Sequence, residues 1–310
     1  MSLLSKRRGT LGGRLVSLKW RHYWNREASR AQARHGAAPA GEGARILRDL
    51  KADGIAVSSL DALLGGGHFD ALAAAVGALE TEQAEQIDDA RRHVGALGAK
   101  KSFLYRPLGD DLRFDPESIY LRIALHPELV KIANAYLGLF SELRYYGVWR
   151  SLRNDEPARR SQLWHRDRDD QSIVKAFIYL SDVEEGHGPF VYARGTHDRG
   201  RLHAEPESFK EAGHGNRRST DEHMAEVVPP RRWHRAVGRR GTLILADPTG
   251  YHRGGLARVG DRLLYTFMFV SPLSQSRVSF SPAESWSTGL FADDPAVAAA
   301  ARHGRPGAPR

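Results

Sequence analysis

Arg262-Leu-Leu-Tyr-Thr-Phe-Met-Phe-Val270 is an aromatic-rich, strongly strand-like run that begins on a charged residue. Such a strand runs through a core, and an unpaired charge in an apolar core costs several kcal/mol, so Arg262 implies an anionic partner. Its planar guanidinium suits bidentate capture of a carboxylate. Upstream, Gly241-Thr-Leu-Ile-Leu-Ala246 is a second buried-strand pattern. The turn Asp247-Pro-Thr-Gly250 follows it and presents His252 at the strand end. Residues 142–150, 172–180 and 190–192 are further strand candidates with turn signals between them. The first half reads differently: residues 44–51, 69–97, 115–125 and 127–137 carry helical patterns, and 55–58 and 100–105 read as short strands. Strands clustered after a helical half argue for helices flanking an antiparallel β core. The expected fold class is therefore mainly β, a jelly roll with flanking N-terminal α-helices.

The chemistry-bearing stretch is Ser161-Gln-Leu-Trp-His-Arg-Asp167. In extended backbone, residues i and i+2 point to one side, so His165 and Asp167 converge on one point. A lone His-X-Asp is common by chance, and a chain with 14 His offers many partners. The placement of His252 at a strand end gives the motif more weight. Two imidazoles and one carboxylate on one face of a metal, with other positions open, form the ligand set of non-haem Fe(II) oxygenases. The distal carboxylate of 2-oxoglutarate matches what Arg262 requires. Gln162 and Trp164 flank the motif as candidate substrate contacts, with packing the plainer role for Trp164. Asp169 and Asp170 read as solvated or supporting charges.

His165-X-Asp167, His252 and Arg262, with Gly188-Pro-Phe-Val-Tyr-Ala-Arg-Gly-Thr-His197 between them, resemble the phytanoyl-CoA dioxygenase family of Fe(II)/2-oxoglutarate oxygenases. The middle stretch is similar to the family's Gly-Pro-Leu-X-X-X-Pro-Gly-Ser-His pattern, with Ala193-Arg194 where Val or Pro is usual. His126-Pro-Glu-Leu-Val-Lys-Ile-Ala-Asn-Ala-Tyr-Leu-Gly138 is similar to the helix ahead of the family's core. The resemblance covers residues 44–272. It implies a double-stranded β-helix, Fe(II) on His165, Asp167 and His252, and 2-oxoglutarate and O₂ in the open positions. Arg262 would anchor 2-oxoglutarate, with Arg258, in the loop before β-strand 262–270, as the alternate. The implied reaction is hydroxylation of a C–H bond in a small-molecule or lipid or glycolipid substrate, with succinate and CO₂ as coproducts. One departure is Gly254, where family members often carry a small hydroxyl residue. A cupin-type metal isomerase or hydrolase, and a non-catalytic β-barrel binding module, are the alternative readings.

The chain has no cysteine, which excludes disulfides and thiolate ligands and fits a cytoplasmic setting. No apolar run is long enough to span a bilayer. The net charge of +9 is concentrated at the start: residues 1–36 hold Lys6, Arg7, Arg8, Arg14, Lys19, Arg21, Arg26, Arg30 and Arg34 against Glu27 alone. One reading is a solvated arm or a helix packed partly on the core. The other is an arm held at an anionic membrane surface, with Trp20 and Trp24 at the interface, or on an anionic substrate. Nothing in the arm matches a nucleic-acid-reading motif. The small-residue run 36–43 divides a basic arm and linker (1–43) from a dioxygenase domain (44–290), with a flexible tail over 291–310. Residues 196–233 interrupt the strands as a polar surface loop or a lid.

Overall fold

Every residue of the run 262–270 is buried, and the run is a strand over the whole expected span. In the computed structural model, which describes residues 11–94, 102–109, 112–211, 217–284, 291 and 293–307, the strands in chain order are β1 (Ile55–Ser59), β2 (Leu104–Leu108), β3 (Leu112–Arg113), β4 (Glu142–Ser151), β5 (Val174–Tyr179), β6 (Phe190–Ala193), β7 (Trp233–Ala236), β8 (Thr242–Ala246), β9 (His252–Gly254), β10 (Arg262–Val270) and β11 (Phe280–Ser281). A six-stranded antiparallel sheet runs β1-β8-β5-β10-β4-β2, so β10 lies inside it with β5 and β4 on either side. A smaller antiparallel sheet runs β7-β6-β9. It is extended beyond β9 by the bridges His165 to His252 and Trp164 to Ser219.

The two sheets close on one another as the expected jelly roll. Ile55, Phe177, Tyr179, Phe190, Tyr192, Ile244 and Leu264, drawn from both sheets, form one inner cluster. The opposite face of the large sheet, with Leu243, Leu245, Leu263, Tyr265, Phe267 and Phe269, is covered by helices through Ile46, Leu50, Leu129, Ile132 and Tyr136. That explains why β10 does not alternate between apolar and polar residues: both faces are inside. Each large apolar side chain buried there contributes about 1.5–3 kcal/mol.

The covering helices start and stop where their caps dictate. Gly41–Asp53 presents Ile46 and Leu50, one turn apart, and ends at Gly54 with φ +80°. A side chain at that glycine would collide with the Tyr192 hydroxyl and His197. Pro127–Leu137 has Pro at its first turn and ends at Gly138 with φ +75°. The helix expected over 69–97 is two, His68–Glu82 and Ala84–Arg92. They break at Gln83, whose side chain donates to the Pro107 carbonyl and accepts from the Tyr105 hydroxyl; residues 95–97 lie outside the described residues. The strand expected at 100–105 is displaced to β2, and residues 100 and 101 also lie outside them.

Four further expectations are corrected. Trp20 is only 4% exposed and belongs to the main core, so it is not available to an interface. Its indole N–H donates to Asp170, 2.7 Å away, and Asp170 also accepts from the amides of Gln171 and Ser271, which makes it a buried tie and not a solvated charge. Lys6, Arg7 and Arg8 lie outside the described residues. The expected flexible tail is packed over 293–307: Asp294 caps the helix Pro295–Ala300, which buries Val297 and Ala300, and His303 bonds Glu142. Its Ala-rich composition reads as low complexity, but small side chains are what a close-packed helix face needs. The polar insertion carries the helices Glu207–Glu211 and Asp221–Val227. Its Phe209, Met224 and Val228 pack with Trp164, Val191, Ala193 and Tyr251 on the outer face of the small sheet. Among the described residues it is a packed cover; residues 212–216, His214 included, lie outside them. No helix is long and apolar enough to cross a membrane among the described residues.

Candidate metal centre

The small sheet brings the distant histidines together. His165 and His252 exchange backbone hydrogen bonds at 2.9 and 3.0 Å, and the Asp167 amide donates to the Pro248 carbonyl at 2.8 Å. This bridge fixes both imidazoles on one face, with ring centroids 4.2 Å apart. Alternation then carries Asp167 to the same side as His165. The Nε2 atoms of His165 and His252 lie 3.8 and 3.7 Å from Asp167 Oδ1. One ligand atom from each of the three residues lies within 4.8 Å of the others, so together they could hold a metal ion.

The imidazoles are set in the tautomer that a metal needs. His165 Nδ1 faces the Leu163 carbonyl at 2.9 Å and His252 Nδ1 faces the Gly250 carbonyl at 3.1 Å. A carbonyl only accepts, so each Nδ1 carries the proton and each Nε2 keeps a lone pair toward Asp167. Burial pushes both histidines below the ordinary imidazole value, His165 further because the charge of His252 adds to it. Both are therefore neutral near pH 7, as ligands must be. Burial alone would raise the Asp167 carboxyl, but Lys175 and the two imidazoles outweigh it and hold the group well below the usual range.

Lys175 was not singled out from the sequence. It stands on the inner face of β5, in alternation with Phe177 and Tyr179, with Nζ 3.4 Å from Asp167 Oδ2. The rings of Tyr145, Trp149 and Phe177 surround its ammonium at 5.4–5.7 Å. The signal was available: one charge in an otherwise apolar strand, the same signal that marked Arg262. The Tyr145 hydroxyl lies close to Lys175 and to the Thr266 hydroxyl, yet neither hydroxyl forms a well-aligned hydrogen bond among the described residues.

Arg262 is buried, as its place in β10 requires. Its guanidinium donates to the Gly188 carbonyl and, at 3.1 Å, to the Ser151 hydroxyl, while Nε has no hydrogen-bond partner among the described residues. No carboxylate among the described residues pairs with it, and burial lowers its pKa. It shares the site's wall: a Cβ at Gly254, two residues after His252, would stand 3.6 Å from Arg262 Nη2. That Cβ would also stand 3.7 Å from the Ser161 carbonyl, so position 254 has room for a first side-chain carbon beside the guanidinium and little more. Arg258 is half-exposed and donates to the Asn154 carbonyl at 2.9 Å on the loop, so its charge is not directed inward.

Trp164 points away from the site. It is fully buried in the cluster under the insertion, 5.0 Å from Trp233 between ring centroids, and its N–H donates to Asp221 at 2.7 Å. Gln162 is buried too, its side-chain carbonyl accepting from the Arg159 amide at 3.2 Å to close the turn Arg160–Gln162. Alternation explains Trp164: positions 165 and 167 take the inner side, and 164 takes the outer.

No family model matches this chain, and no curated protein matches it. Among solved structures it is similar to EctD from S. alaskensis with 2-oxoglutarate and 5-hydroxyectoine, at 18% identity over 87% of this chain and 86% of that one, TM-score 0.49. It is similar to HygX from Streptomyces hygroscopicus with nickel and 2-oxoglutarate bound, at 16% identity over 82% and 94%, TM-score 0.47. A third is the epimerase SnoN in complex with Fe3+, alpha ketoglutarate and nogalamycin RO, at 16% identity over 76% and 86%, TM-score 0.47.

Proposed function

We propose that the chain is an Fe(II)- and 2-oxoglutarate-dependent dioxygenase that hydroxylates a C–H bond of a small-molecule or lipid-type substrate. The observation that carries this reading is the pairing of an open His165-Asp167-His252 centre with a buried guanidinium, Arg262, that lacks a carboxylate. The donor set of two neutral imidazoles and one carboxylate fits Fe(II). The unsatisfied Arg262 Nε fits the distal carboxylate of a keto diacid. When bound, Fe(II) and 2-oxoglutarate would supply O₂-driven decarboxylation to succinate and CO₂ coupled to oxidation of the substrate.

The chain's own residues then have distinct tasks. His165 and His252 donate from Nε2 while the Leu163 and Gly250 carbonyls hold their rings in place. Asp167 stays ionised through Lys175, which also keeps its second oxygen directed away from the ligand position. Tyr145 and Thr266 offer hydroxyls to a polar ligand between the sheets. The wall of Phe177, Phe190 and Leu264 excludes water from the space behind the centre.

A cupin-type isomerase or hydrolase would use the same three ligands, but it leaves Arg262 without a purpose. Succinate formation from 2-oxoglutarate under O₂ separates the readings. The dioxygenase forms succinate in an Fe(II)-dependent way even without substrate, at a slow uncoupled rate, and Asp167→Ala does not. Succinate formation retained in Asp167→Ala, or absent from the Fe(II)-loaded wild type, overturns the proposal.

A further inference from the structure

We infer that the substrate carries an oxyanionic group, phosphate or carboxylate, and that Arg218, flanked by Arg160 and Arg168, receives it at the mouth of the metal centre. This rests on the dioxygenase reading for the word substrate, but not for the binding of the anion.

The register of the small sheet sets Arg218 there. Trp164 pairs with Ser219 in antiparallel sense, so Arg218 stands opposite His165, which in turn stands opposite His252. Opposed residues share a face, and Arg218, His165 and His252 form one row across three segments of chain. The half-buried guanidinium is close enough to feel the charge of Asp167 and to act on both histidines. Arg160 and Arg168 lie close enough to repel it.

Among the described residues its bonds leave its charge unanswered. Arg218 Nε donates to the Arg160 carbonyl at 3.0 Å and Nη1 to the Arg217 carbonyl at 2.9 Å, neutral acceptors that aim the fork without neutralising it. Arg160 holds its carbonyl there from a left-handed conformation, φ 53°, which a non-glycine residue adopts only under constraint. The one carboxylate among the described residues that acts on Arg218, Asp167, is already shared with Lys175 and is a candidate metal ligand. With a dication on Asp167, and with Lys175, Arg262 and Arg218 all charged, dianionic 2-oxoglutarate still leaves the site net positive. A neutral substrate would be enclosed beside uncompensated charge, whereas an oxyanion matches the free side of the fork.

The test uses the full chain, loaded anaerobically with Fe(II) and saturating 2-oxoglutarate so that 2-oxoglutarate competes with the titrant at the metal and at Arg262. Calorimetry at low ionic strength follows phenyl phosphate, phenylacetate and the neutral benzyl alcohol. Wild type is expected to bind at least one of the anions saturably and benzyl alcohol not at all, and the stronger anion identifies the phosphate or the carboxylate class. Arg218→Gln is expected to weaken that binding roughly tenfold or more, the scale of one charged hydrogen bond. Arg218→Lys, which keeps the charge, restores part of it, and Arg235→Gln, at an exposed ion pair with Glu185, leaves it unchanged. Absence of saturable anion binding, equal binding by Arg218→Gln, or equal binding of benzyl alcohol overturns the inference. If no 2-oxoglutarate complex forms at all, the dioxygenase reading fails; the same titrations on the metal-free protein then still decide the role of Arg218.

Discussion

Two buried groupings in this molecule are made of the same residue types, histidine, carboxylate and cation, and they are built to opposite ends. Around Glu142, one oxygen meets His303 Nε2 at 2.7 Å and Arg144 at 3.2 Å, and the other meets Arg302 at 3.2 Å. At the candidate metal centre, His165 and His252 stop 3.7–3.8 Å short of Asp167. The first is a closed ion-pair network that ties the C-terminal segment to β4. The second is an open ring whose lone pairs face a common point without touching. The difference teaches that composition does not mark a functional site; what marks it is polar groups held together and left unsatisfied.

The largest effect should come from removing one member of the open ring. His252→Ala is expected to lower succinate formation by roughly 10³-fold, several kcal/mol of lost metal catalysis, with an unchanged circular dichroism spectrum. A fall in activity matched by unfolding would instead make the ring structural. Glu142→Gln should do the reverse: it strands the cations at the closed network and lowers unfolding free energy by about 3 kcal/mol, with 2-oxoglutarate binding intact. Denaturant titration of both variants sharpens the comparison directly.

Arg262→Ala comes next. It removes a charge-assisted contact worth about 1.5–3 kcal/mol, so the KM for 2-oxoglutarate should rise roughly 10- to 100-fold while Fe(II) binding persists. A KM unmoved by the change assigns the anchor elsewhere, with Arg258→Ala the variant to examine.

The smallest effect is in pH dependence, and it also divides the two regions. Burial depresses His165 and His252, so in metal-free protein the unfolded chain takes up protons that the folded one refuses. Stability from this source is full above about 6.5, the ordinary imidazole value, and falls as pH drops below it. Burial alone would raise Glu142, but His303, Arg144 and Arg302 hold it low, so its contribution is full above the ordinary value of 4.5 and is lost only as pH falls further. The melting temperature of the metal-free protein should fall in these two stages, and His165→Gln with His252→Gln should shrink the first stage, to which the burial-depressed His126, His197 and His234 also contribute.

The β core and the ring were legible because each rests on local rules. After Arg262 the run to Val270 is apolar but for Thr266, His165 and Asp167 sit at strand spacing, and the turn at 247–250 delivers His252 to the same sheet. What was not legible depends on pairing between distant segments. Nothing near Trp20 in the sequence indicates Asp170, and nothing near His303 indicates Glu142. Arg218 looks like one of many charges in a polar insertion until Ser219 is seen to pair with Trp164. Lys175 was readable by the logic applied to Arg262, an ionic group in an apolar strand, and its partner was the ring's own carboxylate.

The most direct test of the open centre is anaerobic titration of the Fe(II)-loaded protein with 2-oxoglutarate, followed in the visible for the weak metal-to-ligand charge-transfer band of a chelated keto acid. The account predicts a saturable band in the wild type that is lost in His252→Ala and retained in Glu142→Gln. Bound Fe(II) with no band, or a band that survives in His252→Ala, would contradict it.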